Sequence, residues 1–222
     1  MALYANPPNW PQMAVWQRRL RPGDLFVDVG ANVGTYTILA ADLGASVVAV
    51  EAAPDAAALL RENVALNGFE DVKVVEAAAG ASNGLVRFTE GFDDLNRIDP
   101  EGTAEVQQVT LDSLIGDQQV AGLKVDVEGF ELEILKGAAR ALEEHRIELM
   151  QLEWVTVTDW ESVTLDYSGA DRRPLVDLLT SYGYQLLYVV DDGQLSRTRP
   201  SGPFSDIFAA PHTNAPKPEP GV

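Results

Sequence analysis

LFVDVGANVG, residues 25–34, decides how this chain reads. Leu25–Val29 is a short apolar, β-branched run of the kind that makes a buried strand. Gly30 lets the backbone turn and come close to a ligand, and Gly34 allows tight packing of a strand against a helix. Thr35–Leu43 reads as that helix, with free N–H groups at its start. A dinucleotide-binding turn carries G-x-G-x-x-G to admit a pyrophosphate. Here Asn32 stands at the second glycine and the spacing is G-x-x-x-G. Asparagine both donates and accepts, which suits a carboxylate or an amino group better than a diphosphate. By itself the loop is weak evidence, because a plain strand-to-helix turn is the alternative.

The pattern repeats on either side. Ser46–Glu51 and Val72–Glu76 are further strands, separated by a helix at Pro54–Asn67. Pro54 suits the first turn of that helix, Ala57, Leu60 and Val64 recur at helical spacing, and Asn67-Gly68 stops it. Gly84–Glu90 and Glu105–Thr110 read as strands around a polar excursion. Strands then follow at Gly122–Val127, Ile147–Val155, Gln185–Asp191 and Ser205–Ala210, with helices at Phe130–His145 and Asp171–Ser181. Alternating strands and helices imply right-handed βαβ units. The expectation is a doubly wound α/β fold: a mostly parallel, seven-stranded sheet with helices on both faces and the last strand antiparallel. The domain spans 23–210, preceded by an N-terminal extension or lid at 1–22 and followed by a flexible Pro-rich tail at 211–222. Met13–Leu20 within the extension is amphipathic.

Composition narrows the function classes. Sixteen Lys and Arg against 34 Asp and Glu give 222 residues a net charge of −18. A nucleic-acid binder needs a basic face to displace counterions, and anionic lipid needs the same, so neither is a partner. With no cysteine, thiolate metal sites, iron–sulfur clusters and a Cys nucleophile are excluded. Two histidines leave a metal site only if carboxylates supply the other ligands. No signal peptide and no apolar run of membrane-spanning length is visible, which reads as cytoplasmic.

Ligands on such sheets bind beyond the carboxyl ends of the strands. Glu51 ends the second strand about 20 positions after Gly30, where a carboxylate accepts hydrogen bonds from both hydroxyls of an adenosine ribose. Ala77, Ala78, Ala79 and Gly80 after the third strand leave space for a flat ring, or merely pack a helix start. Asp126 closes another buried strand, Glu128 follows two residues on, and Glu153 ends the next. Glu128 and Glu131 also fit as first-turn acids favoured by a helix dipole. His145 and His212 read as solvated side chains. Trp154, Trp160 and Tyr167 could wall an acceptor pocket or pack a lid, and Tyr4, Trp10 and Trp16 could close over it from the N-terminus.

Together these loops resemble the class I S-adenosylmethionine-dependent methyltransferases, and more narrowly the FkbM family. The resemblance runs from Arg21 to about Ala210 and rests on VDVGANVGTYT at Val27–Thr37, VEAAP at Val50–Pro54, LLRENVALNG at Leu59–Gly68, VTLDSL at Val109–Leu114 and, above all, LKVDVEGFELEILKGA at Leu123–Ala138. The chain departs from the family pattern where Ala52-Ala53 precede Pro54 and where Ala81 replaces a common Asp. The resemblance implies that Asp28 orients the glycine loop and approaches the methionine amino group. It has Gly30, Ala31, Asn32 and Gly34 cradle the methionine moiety, Glu51 clamp the ribose with Ala52 beside it, Ala77 and Ala78 flank the adenine, and Asp126 line the sulfonium and acceptor side. Asp126 and Glu153, then Glu128, are the candidate bases for an acceptor hydroxyl; alternatively the three hold Mg2+. The implied activity is O-methylation of a small natural product, sugar or glycan. Two other readings stay open: a cofactor-binding scaffold without turnover, and a nicotinamide-dependent oxidoreductase, which the missing second glycine and the absence of a Tyr-x-x-x-Lys pair disfavour.

Overall fold

A computed structural model describes residues 10–89, 101–127, 129–154, 171–190, 193–198 and 206–212. Strand β1 (Leu25–Val29) sits at the middle of the main sheet, parallel to β2 (Ser46–Glu51) on one side and to β7 (Gly122–Val125) on the other. β3 (Val72–Glu76) extends the sheet beyond β2, and β8 (Met150–Glu153) extends it beyond β7, all in parallel. β11 (Asp206–Pro211) then inserts antiparallel between β8 and β9 (Tyr184–Val190), so the last strand is antiparallel as the sequence suggests. The seven expected strands are joined by an eighth, β10 (Gln194–Ser196), a short antiparallel hairpin partner of β9 that forms the edge.

Period-two alternation distributes the side chains. Val27, Val29, Val48, Val50, Leu123, Val125, Met150, Leu152, Ile207 and Ala209 pack into one core, under α4 (Leu111–Ile115), α5 (Glu131–Lys136), α6 (Ala139–Glu143) and α7 (Arg173–Ser181). Phe26, Val47, Ala49, Leu149, Phe208 and Ala210 point the other way, under α1 (Trp10–Arg19), α2 (Thr35–Asp42) and α3 (Pro54–Leu66). Fully buried strands need apolar residues on both faces, and these runs supply them. Within the N-terminal extension, Met13, Val15 and Trp16 of α1, with Leu20 just after it, are buried in the second core; the Trp16 ring meets Phe26 edge-on at 5.0 Å. The tail from 213 onward lies outside the described residues.

Three elements depart from the sequence reading. Phe130–His145 is not one helix but two, α5 and α6, interrupted at Gly137-Ala138. A Cβ on Gly137 would lie 2.1 Å from the Gly80 carbonyl oxygen, so the break lets the loop after β4 (Ala78–Ala79) press against it. The Asp112 carboxylate restarts the helix by accepting from the N–H groups of Arg140 and Ala141 at 2.9 and 3.0 Å. Second, β5 (Gly84–Phe88) and β6 (Ala104–Val109) leave the main sheet and form, with β4, a separate three-stranded one. Third, α4 is absent from the sequence reading; Thr110 caps it, its hydroxyl accepting from Ser113 N at 3.2 Å.

Candidate active site

β1, β2, β3, β7 and β8 all end at one edge of the sheet, and the candidate residues gather there. Gly30 takes φ of +74°, and a Cβ on it would fall 1.9 Å from the Asp126 carbonyl oxygen, so the glycine loop lies directly on the chain leaving β7. The N–H groups of Gly30 and Ala31 both donate to Val50 O, at 3.0 and 3.1 Å, pinning the loop to β2. Asn32 turns through φ of +49°, a left-handed conformation that asparagine tolerates, with its side chain exposed. Gly34, at φ of +99°, precedes α2 and lets it sit against Leu60.

Glu51 closes the loop. One carboxylate oxygen accepts from Asn32 N at 2.8 Å and the other from Ala53 N at 2.8 Å. Each carboxylate oxygen has two lone-pair sites, so both keep one for a ligand hydroxyl. Ala52 is half-buried beside it. Ala77 and Ala78 are buried at the end of β3, and Ala77 donates its N–H to Glu51 O at 3.0 Å, which leaves its methyl rather than its amide for a flat ring.

Asp28 is 1% exposed. Its Oδ2 accepts from the Thr37 hydroxyl at 2.7 Å, tying β1 to the first turn of α2. Its Oδ1 is buried without a hydrogen-bond partner. Burial pushes its carboxyl above the usual carboxylate range, against the pull of Lys124 and Thr37. A buried, unpaired carboxylate oxygen is costly unless a donor completes it.

Asp126 lies just past β7, its side chain 39% exposed, with Oδ2 accepting from Lys124 Nζ at 2.7 Å. Glu153 is half-buried at the end of β8, opposite Asp206 in register. Glu128, Trp160, Tyr167 and Tyr4 lie outside the described residues, as does the Trp10 side chain. Among the described residues no three metal-capable side chains converge, and Glu128 of the expected Mg2+ set lies outside them. His145 is exposed, with Nε2 at 2.7 Å from Tyr182 O, and His212 is exposed beyond the sheet, so neither joins the site.

Lys124, Gln151, Tyr36, Asp206, Gln12 and Arg172 were not singled out from the sequence. Asp28, Lys124 and Gln151 form one cross-strand row over β1, β7 and β8. Tyr36 covers the Lys124 ammonium at 4.7 Å, and Gln151 donates to the Tyr36 hydroxyl at 3.2 Å and to Asp206 at 2.9 Å. Trp16 Nε1 donates to Gln151 at 2.6 Å, and Gln12 donates to Asp206 at 3.1 Å, fastening α1 to the same polar row. Glu131 is a first-turn acid of α5, as the sequence suggests, and is fully buried; it accepts from Val127 and Gly129 N–H at 3.4 and 3.3 Å and pairs with Arg172. The Arg172 guanidinium lies 5.7 Å from the ring of Trp154, which is itself buried. The available signal was a charge inside an apolar strand, as in Leu123-Lys124-Val125, because such a charge has to be paired.

The sequence matches the FkbM methyltransferase domain over residues 28–186. It is 29% identical over 163 residues to the hexuronic acid methyltransferase AglP of Haloferax volcanii, covering 71% of this chain and 62% of that protein, so the chain spans less than two thirds of that relative's length. Among solved structures, precorrin-6y C5,15-methyltransferase from Geobacter metallireducens GS-15 superposes with a TM-score of 0.52 at 15% identity, covering 93% of this chain and 94% of that one. A protein from Streptococcus mutans in complex with SAH superposes with a TM-score of 0.54 at 11% identity, covering 93% and 99%. Both share the class I methyltransferase fold with this chain.

Proposed function

The chain belongs to the FkbM methyltransferase family, and from that premise we propose that it uses S-adenosylmethionine to methylate a hydroxyl of a small natural product, sugar or glycan. The observation that carries the reading is Glu51: two backbone N–H groups aim its carboxylate, and both oxygens keep acceptor capacity at the end of β2. That is the arrangement a ribose diol needs. The unpartnered Asp28 Oδ1 supports a ligand ammonium beside it.

When bound, S-adenosylmethionine supplies an electrophilic methyl group on a cationic sulfur. Glu51 holds the ribose, Asp28 and the Gly30–Gly34 loop hold the methionine end, and Ala77 and Ala78 form an apolar floor for the adenine. Asp126, packed against Gly30, faces the acceptor side. Positioning acceptor and donor in line contributes about 7–11 kcal/mol when geometry is near ideal. Asp126 or Glu153 takes the acceptor's hydroxyl proton, a role typically worth roughly 10²–10⁴-fold. That AglP acts on a hexuronic acid favours a sugar acceptor here. The net charge of −18 argues against a nucleic-acid acceptor.

Titration with S-adenosylhomocysteine by calorimetry, with NADH as control, tests this. Micromolar binding of the first alone is expected and justifies an acceptor screen with and without Mg2+. Binding of NADH alone would overturn the methyltransferase reading, and binding of neither would favour a scaffold.

A further inference from the structure

Lys124 has no part in the chemistry above, yet it occupies its centre. Its side chain is 5% exposed, in a strand whose neighbours Leu123 and Val125 are fully buried. Its ammonium donates to Asp126 Oδ2 at 2.7 Å, lies over the Tyr36 ring at 4.7 Å, and stands in register with Asp28 on β1. Tyr36 and Thr37 belong to the helix that follows the glycine loop, and Asp126 touches Gly30. The charge therefore lies between the segment that holds the methyl donor and the carboxylate that faces the acceptor. Burial opposes the ammonium's charge, but Asp126 and Asp28 outweigh it and hold Lys124 above its ordinary value. A buried ion pair is by itself weak evidence of a stabilising role, because well-packed apolar residues in its place are often neutral or stabilising.

The methyl donor and its spent product differ by one methyl group and one positive charge. A fixed charge in the site would therefore act on the donor's added charge and not on the neutral product, whereas a packing or folding role acts on both. Asp126 favours the cationic form, and Lys124 opposes it while holding Asp126 in place. We infer that Lys124 is a positioning residue that sets the relative affinity of the site for cationic S-adenosylmethionine and neutral S-adenosylhomocysteine. This rests on the proposed cofactor.

The test is calorimetric Kd for both compounds in the full chain, wild type and variants, with circular dichroism to confirm folding. Lys124→Gln keeps a donor for Asp126 but removes the charge; the ratio of the S-adenosylmethionine Kd to the S-adenosylhomocysteine Kd is expected to fall about tenfold. Lys124→Arg keeps the charge, and the ratio is expected to stay within about twofold. Asp126→Asn changes a half-exposed side chain and leaves Asp28 as the carboxylate facing the ammonium, so the ratio is expected to rise about tenfold. If Lys124→Gln does not fold, Lys124→Met, which keeps an aliphatic stem without the charge, is read in the same way, with the same fall in the ratio expected. An unchanged ratio in a folded variant that lacks the Lys124 charge, even with both affinities weakened together, would overturn the inference. Wild-type protein that binds neither compound would instead overturn the cofactor reading on which it rests.

Discussion

At the scale of single residues, the site is an arrangement of carboxylates, each with a different partner. Glu51 is aimed by backbone N–H groups, Asp126 by an ammonium, and Asp28 by a hydroxyl, with one oxygen left over. These partners differ in what a substitution removes. Glu51→Ala deletes the proposed diol acceptor and frees Asn32 N and Ala53 N; cofactor affinity is expected to fall by about 1.5–3 kcal/mol, the scale of charge-assisted hydrogen bonds. Calorimetry on the folded variant measures this, and an unchanged Kd would remove Glu51 from the site. Glu51 and Asp126 were legible in the sequence because the end of a buried strand is a defined place in this class of sheet. Gln151 was not singled out because its partners Tyr36, Trp16 and Asp206 lie far away along the chain, and Lys124, though paired with nearby Asp126, meets Asp28 and Tyr36 only through strand register and helix packing.

At the scale of elements, strands were read more securely than helix boundaries. β1, β2, β3, β7 and β8 carry apolar runs that have no other comfortable place than a doubly covered sheet. The helix after β7 shows the opposite. Its sequence runs on without a proline, yet Gly137 meets Gly80 and Asp112 caps a second helix, so a long-range contact decides where it breaks. Asp112→Ala is expected to cost about 0.5–2 kcal/mol, the range for losing an N-terminal cap. Denaturant unfolding measures it, and an unshifted midpoint would mean that packing alone holds α6. The small sheet β4-β6-β5 follows the same logic: its strands alternate like those of the main sheet, and nothing local says which sheet they join.

At the scale of the whole molecule, the net charge of −18 is the dominant long-range term. Charge this far from zero repels itself in the compact state, and added salt shortens the screening length to about 3 Å at 1 M. The thermal midpoint is therefore expected to rise as KCl is increased from low ionic strength, with a smaller rise in an equivalent sucrose series. A flat or falling midpoint would mean that local pairs such as Lys124–Asp126 outweigh the net repulsion. No helix among the described residues is long and apolar enough to cross a membrane. By itself the sequence determined the fold class, the glycine loop and the carboxylates at the strand ends. These follow from hydrophobic period, glycine placement and the length of buried runs, all of which are local quantities. Only the tertiary structure decided that Asp28, Lys124 and Gln151 share one row, that α1 is fastened to it through Trp16, and that Glu131 is a buried partner of Arg172. Each of these joins residues distant in sequence, and such pairs are fixed by register and packing, which no short stretch of chain contains.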